Sequence, residues 1–154
     1  MKRIIASLIV LCTLTSSACA QSSQKEQKEE TAVVQMDKQM FLDKVFNYTT
    51  GATEWKYQGD KPAVIDFYAT WCGACGAIDD ALDRMALSMG DVVTLVRIDT
   101  TTPSSFDLVR RYNVVALPTL ILFSRGRVLW RECGLITYER LINVIRRYSA
   151  IGAY

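Results

Sequence analysis

The segment best suited to chemistry is Trp71-Cys72-Gly73-Ala74-Cys75, in which two cysteines are separated by two residues. It lies between an apolar run at 63–69 and a helical pattern that begins near Ile78. This order puts Cys72 at the N-cap or in the first turn of a helix, where unpaired backbone N–H groups and the helix dipole stabilise a thiolate. A cysteine in that position has a depressed pKa and acts as a nucleophile.

The same spacing identifies the partner of this nucleophile. Cys75 follows one helical turn later, close enough for a disulfide with Cys72 and largely buried. We expect two-step exchange: Cys72 attacks a substrate disulfide, and Cys75 resolves the mixed disulfide. The chain has no histidine, which excludes His-based acid–base catalysis and disfavours a metal site. The three thiols of Cys72, Cys75 and Cys133 do not complete a zinc site, so we expect no metal and no cofactor besides the dithiol.

The elements that must position the dithiol alternate between strand-like and helix-like patterns. Strands are predicted at 33–36, 63–69, 92–98, 119–123 and 128–133, with a tight turn at Arg125-Gly126 before the last one. Helices are predicted after the N-cap Asp37, after the dithiol, from Pro103 onwards and after the N-cap Thr137. The order β-α-β-α-β-α-β-β-α predicts an α/β fold with parallel central strands and an antiparallel hairpin at the edge.

Several short segments, in this order and at this spacing, resemble the thioredoxin family. They are Val64-Ile65-Asp66-Phe67-Tyr68-Ala69, Trp71-Cys72-Gly73-x-Cys75, Arg97-Ile98-Asp99, Leu117-Pro118-Thr119 and Gly134. The resemblance covers about residues 60–148 and, more loosely, the chain from Met36. It implies the thioredoxin fold, a central mixed β-sheet flanked by helices on both faces. It also implies a thioredoxin-like protein-disulfide oxidoreductase whose active group is the Cys72–Cys75 pair.

The resemblance also implies roles for single residues. Asp66 resembles the family's buried carboxylate, whose pKa is raised by desolvation and which takes a proton from Cys75 directly or through water. Leu117-Pro118 resembles the cis-proline turn that faces the dithiol and pairs with an extended substrate segment. Trp71 is expected to pack beside the dithiol. The expected substrate surface consists of Trp71, Gly73, Ala74, Leu117, Pro118, Cys133 and Gly134.

Three positions depart from the family pattern. Ala74 replaces the usual proline, which should make the dithiol more oxidising because proline stiffens a first helical turn. Leu95 replaces a lysine near the buried aspartate, so Asp66 should be harder to ionise. Gly76 replaces a basic residue, which reduces the positive charge beside the thiols.

Cys133 can be interpreted in two ways. In the first, it is a small apolar side chain that ends an edge strand. In the second, it is a third redox-active thiol, because the loop at Gly134 lies on the rim of the substrate surface in thioredoxins. The first interpretation is favoured.

The N-terminus has the pattern of an exported protein. Residues 1–18 have a short basic start and an apolar run too short to span a bilayer, as in a signal peptide. Cleavage after Ala18-Cys19-Ala20 would leave Gln21 first, whereas a lipobox would make Cys19 the lipidated first residue. Residues 19–31 are then a flexible polar tether and 32–154 a thioredoxin-like domain.

These features favour a disulfide reductase or exchange protein of the bacterial envelope, in the periplasm or anchored by lipid. Its expected partners are protein disulfide substrates and a membrane electron donor that reduces it again. Without Lys2 and Arg3 the chain has 16 basic and 16 acidic residues, which argues against nucleic-acid binding. We expect a monomer. The alternatives are a dedicated electron donor for cytochrome c maturation and a thioredoxin-like protein-binding module; an oxidase is disfavoured because no helical insertion fits between Cys75 and Pro118.

Overall fold

The computed structural model describes residues 33–49 and 61–152. The predicted signal peptide, the site at Cys19 and the polar tether lie outside the described residues. The described elements, in chain order, are β1 (Val34–Gln35), α1 (Lys38–Lys44), β2 (Ala63–Tyr68), α2 (Gly73–Gly76), α3 (Asp79–Met89), β3 (Thr94–Asp99), a 3-10 turn (Pro103–Ser105), α4 (Phe106–Arg111), β4 (Thr119–Ser124), β5 (Arg127–Cys133) and α5 (Tyr138–Gly152). Within these residues, no helix is long and apolar enough to cross a membrane.

The strands form one mixed sheet in the order β1-β3-β2-β4-β5. Strands β1, β3 and β2 are parallel, whereas β4 runs antiparallel to β2 and to β5. Arg125 and Gly126, both with positive φ, make the tight turn between β4 and β5. The predicted α/β class, element order and mixed sheet are confirmed.

Each face of the sheet packs against its own pair of helices. Phe41 of α1 and Leu108 of α4 are fully buried with Ile65 and Phe67 of β2 on one face. On the opposite face, the helices α3 and α5 cover the sheet; this core includes Val64, Leu82, Met85, Leu120, Leu141 and Ile145. Successive side chains of β2, from Val64 to Phe67, therefore point to opposite faces of the sheet. Strand β2 is buried on both faces, as its apolar sequence predicts.

Several element boundaries differ from the prediction, two of them for clear local reasons. Strand β1 has two residues because Asp37 caps α1 immediately afterwards, its carboxylate accepting from the Met40 backbone N–H at 2.8 Å. Strand β3 begins at Thr94 because the N–H groups of Val92 and Val93 both donate to the Met89 carbonyl and close the end of α3. The helix predicted after the dithiol is divided into α2 and α3 at Ala77 and Ile78.

Candidate active site

Cys72 lies between the end of strand β2 and the start of helix α2. Its backbone N–H donates to the Ala69 carbonyl at 3.1 Å, which closes a turn after the strand. Cys72 is the N-cap of α2, and its sulfur accepts from the Cys75 backbone N–H at 3.2 Å. A backbone donor aimed at sulfur stabilises a thiolate, as N-cap geometry does for other acceptors. The predicted N-cap position of Cys72 is confirmed.

The two sulfurs differ in their access to solvent. Cys72 and Cys75 are joined in a disulfide, with their Cα atoms 5.3 Å apart. Cys72 is half-buried, whereas Cys75 is only 1% exposed. A substrate can therefore reach Cys72 from solvent, and the sulfur of Cys75 can react only with a partner already bound to Cys72.

Asp66 is the buried carboxylate of the site. It lies on β2 and is only 1% exposed. Burial raises its pKa to about 6, although the nearby Arg97 guanidinium opposes the increase. Arg97 Nε donates to Asp66 Oδ2 at 3.0 Å. A solvated aspartate at a strand end is thus excluded.

Arg97 corrects the expectation that Asp66 lacks a cation. Leu95 is indeed apolar, and it pairs with Val64 in the sheet. Arg97, two residues further along β3, is the direct strand partner of Asp66 and lies on the same face as Leu95. Its Nη2 lies 2.8 Å from Asp79 Oδ1, at the start of α3. Arg97 and Asp79 were not among the predicted site residues; the two-residue period of side chains along β3 would have indicated Arg97.

A cleft of about 380 Å³ opens beside the dithiol. Both cysteines line it together with Asp79 and Arg97. Arg97 thus contacts the buried carboxylate of Asp66 through its guanidinium, and it also lines the cleft that Cys75 lines. Arg97 therefore connects the buried carboxylate of Asp66 to the cleft beside the dithiol.

The loop before β4 forms the other side of the site. The Leu117–Pro118 peptide bond is cis. The Gly134 N–H donates to the Pro118 carbonyl at 2.9 Å, and Gly134 has φ +90°, which favours glycine. Cys133 ends β5 with a free, exposed thiol whose sulfur is 3.3 Å from the Thr119 hydroxyl. The strand ends at Cys133 as predicted, and the side chain of Cys133 is exposed.

A second, open groove of about 380 Å³ lies beside Cys72. The groove is lined by Trp71, Leu117 and the apolar side chains of Val114 and Val115. Trp71 is 75% exposed and Val115 is 83% exposed, although both are large and apolar. Apolar side chains left open around a reactive sulfur are typical of a surface that binds another chain. Trp71 thus lines the same groove as Cys72.

Two of the three positions that depart from the family pattern lie on the surface, whereas Leu95 is buried in the core. Ala74 and Gly76 are exposed on α2. A Cβ at Gly73 or Gly76 would meet no atom within 4 Å. A larger side chain would therefore fit at Gly76, and its absence changes charge rather than packing.

Comparisons with known proteins agree with this geometry. The family model described as Thioredoxin matches residues 32–147. The chain is 38% identical over 88 residues to "Thioredoxin Y, chloroplastic" of Oryza sativa subsp. japonica, covering 57% of this chain and 51% of that protein. It is 38% identical over 86 residues to "Thioredoxin Y2, chloroplastic" of Arabidopsis thaliana, covering 56% and 50%.

A third relative is matched over nearly its whole length. The chain is 31% identical over 115 residues to "Thioredoxin" of Borreliella burgdorferi, covering 75% of this chain and 96% of that protein. By contrast, the chain spans about half the length of the two chloroplastic relatives. The family model and this third match show that the chain belongs to the thioredoxin family.

Proposed function

We propose that this chain is a thiol–disulfide oxidoreductase that reduces or exchanges protein disulfides through the Cys72-Gly73-Ala74-Cys75 dithiol. The observation that carries the proposal is the unequal setting of the two sulfurs. Cys72 receives a backbone N–H and borders the open groove, while Cys75 is buried behind it. Thioredoxins work through a redox-active dithiol and need no cofactor, so the chain's own sulfurs are sufficient.

The reaction takes two steps. The Cys72 thiolate attacks one sulfur of a substrate disulfide, and the other substrate sulfur leaves as a thiolate. Cys75 then loses its proton and attacks Cys72, which forms the intramolecular disulfide and releases the second substrate thiol. Two electrons pass from the protein dithiol to the substrate disulfide. The buried carboxylate of Asp66 is the base we assign to the second step.

The groove beside Cys72 supports a protein as substrate. Trp71 and Val115 offer apolar contact area to a segment of another chain, next to the sulfur that must be attacked. The backbone around Pro118 is the part of the loop that we assign to pairing with an extended substrate segment. Together these contacts orient the substrate disulfide before Cys72 attacks.

We place this activity in the bacterial cell envelope. The support is the sequence of residues 1–31, with a signal-like apolar run, a cysteine at position 19 and a polar tether. Cys19 is the proposed lipid attachment site. A protein outside the cytoplasm would need a membrane electron donor to reduce its disulfide again, and that donor is part of the proposal.

The proposed chemistry is tested by trapping substrates with Cys75→Ser. This variant keeps the nucleophile but removes the resolving sulfur, so partners should accumulate as mixed disulfides with Cys72 that a reductant releases. The matched control is Cys72→Ser, which retains Cys75 and Cys133 and should trap none. Removing Cys133 as well should leave the Cys75→Ser adducts in place. If the two variants capture the same few proteins, the chain is a binding module and the proposal is wrong.

A further inference from the structure

Arg97 is held in one place by three different contacts. Its Nε donates to Asp66 Oδ2 at 3.0 Å, and its Nη2 lies 2.8 Å from Asp79 Oδ1. Its guanidinium carbon lies 4.1 Å from the centroid of the Tyr68 ring. The side chain is 19% exposed. A long side chain whose guanidinium group is held by several contacts loses most of its rotamer freedom. Such a fixed side chain is suited to hold a neighbouring group in place.

The two oxygens of Asp66 differ in their partners. Oδ2 accepts from Arg97, whereas Oδ1 is buried and has no hydrogen-bond partner in the part of the chain that the structure describes. Leaving a buried carboxylate oxygen without a hydrogen-bond partner costs free energy. Accepting a proton therefore lowers the free energy more at Oδ1 than at Oδ2.

The charges around Asp66 come from two elements. Strand β3 supplies Arg97, which lowers the pKa of Asp66, and the first turn of α3 supplies Asp79, which raises it. From β4 the register places the uncharged Leu120 opposite Asp66. Helix α2 contains one residue that can titrate, Cys75, and only when its disulfide with Cys72 is reduced. Among these groups, Arg97 is the one that favours the ionised form of the carboxylate and opposes the effect of burial on its pKa.

Building on the proposed function, we propose that Arg97 is a positioning residue for its second step. It holds Asp66 with Oδ2 occupied and Oδ1 open, and it keeps the carboxylate ionised so that Oδ1 can take the Cys75 proton. Asp79 holds Arg97 in turn. The proton of the Cys75 thiol moves to Oδ1, directly or through one water, as Cys75 Sγ bonds to Cys72 Sγ. The bond between Cys72 and the substrate sulfur breaks, and that sulfur leaves as a thiolate.

The two chemical steps can be measured separately in a single turnover. The reduced full-length chain is mixed with an excess of a disulfide-bonded peptide and quenched with acid at successive times. Mass spectrometry then gives the rate at which the adduct forms on Cys72 and the rate at which it decays to the Cys72–Cys75 disulfide. Peptide mapping separates this adduct from adducts on other thiols. In the unchanged protein, the decay rate should rise with pH around the pKa of Asp66, about 6.

Arg97→Met should slow the decay and leave the formation of the adduct unchanged. An opposite charge at this distance shifts a carboxylate pKa by about one to three units, and the partial exposure of Arg97 favours the lower part of that range. The half-maximal pH should therefore move up by about one to two units, and the decay rate at pH 7 should fall about two- to tenfold. Arg97→Lys, which keeps the charge, should restore most of the rate.

Arg84→Met is the matched control. Arg84 also pairs with a carboxylate, Asp80 at 3.8 Å, and lies over a tyrosine ring, Tyr138 at 4.0 Å, but on an exposed part of α3. This variant should keep the pH profile of the unchanged protein. In an Asp66→Asn background, Arg97→Met should have no further effect on the decay rate, because its influence passes through Asp66.

Several outcomes would overturn the inference. They are an unchanged decay profile in Arg97→Met, an equal shift in Arg84→Met, and a further slowing in the Asp66→Asn background. If Arg97→Met does not fold, Arg97→Gln keeps a donor for Oδ2 without the charge and carries the same expectation. If the unchanged protein forms no adduct on Cys72, the proposed function itself fails; if the adduct forms and Arg97 has no effect, only this inference fails.

Discussion

Replacing Asp66 with Asn should stabilise the oxidised protein at neutral pH. The carboxyl group is 1% exposed and its pKa is raised from 3.8 to about 6, so the folded state holds its proton more tightly than the unfolded state. Below pH 4 both states are protonated, and the full stability is present. As the pH rises from about 4 to about 6, the unfolded state ionises first, and the folded protein loses stability. Above pH 6 the loss is complete.

The shift in pKa sets the size of this effect. One pKa unit corresponds to about 1.4 kcal/mol, so the shift costs up to about 3 kcal/mol at pH 7. Asn has nearly the shape of the protonated acid, and its side-chain oxygen can still accept from Arg97. The gain in unfolding free energy of Asp66→Asn over the unchanged protein should therefore grow by about 2 to 3 kcal/mol between pH 4 and pH 7.

Urea denaturation of both oxidised proteins at several pH values measures this gain. Asp80→Asn is the control, because it makes the same chemical change on a carboxylate that is 84% exposed. Its difference from the unchanged protein should stay nearly constant over the same pH range. A gain for Asp66→Asn that does not depend on pH, or that is largest at pH 4, would refute the reasoning from burial.

Three further predictions concern the surface and the terminus. Ala74→Pro should make the Cys72–Cys75 pair more reducing, because Ala74 lies in the exposed first turn of α2; equilibration with glutathione or dithiothreitol measures it, and a more oxidising pair would contradict it. Trp71→Ala should raise KM for protein disulfides more than it lowers kcat, and an equal KM would remove Trp71 from the substrate surface. Cys19→Ser should release the protein from the membrane fraction of its native cells and abolish incorporation of labelled fatty acid, whereas an unchanged distribution would argue against the lipid anchor.

The sequence was sufficient to predict the elements that carry the dithiol. The apolar run before Cys72 predicted a central strand buried on both faces, and the helical spacing of Leu82 and Met85 predicted α3. The break between α2 and α3 was not predicted. Gly73 and Gly76 have low helix propensity, but whether a helix with two glycines continues or divides depends on packing that a single sequence does not reveal.

The environment of Asp66 was predicted only in part. Its burial followed from the apolar strand around it, but Leu95 suggested that no cation was near. Comparing this sequence with the family pattern one position at a time overlooks a cation that lies two residues further along the same strand. Such a comparison considers the residue type at each position and not the face of the sheet on which the side chain lies. Arg97 and Leu95 share a face of β3, so Arg97 reaches the carboxylate from its own position. Pairing Arg97 with Asp79 required the tertiary structure.

The exposure of Cys133 also depended on tertiary structure. Its place at the end of an edge strand was predicted, but a short apolar side chain there is equally compatible with a buried or an open position. The structure leaves the sulfur exposed beside Thr119, just after the cis-proline. Cys133 therefore has to be included as a separate thiol in every redox assay on this protein.

The equilibrium reduction potential of the Cys72–Cys75 pair separates a reductase from an oxidase in a single measurement. The purified chain is equilibrated in dithiothreitol or glutathione buffers, and mass spectrometry reads the redox state on the peptide that holds both cysteines, which separates it from Cys133. A disulfide reductase predicts a value near that of thioredoxin, about −270 mV, with Ala74 moving it slightly towards less negative values. A value of about −180 to −120 mV, typical of isomerases and oxidases, would contradict the reductase assignment.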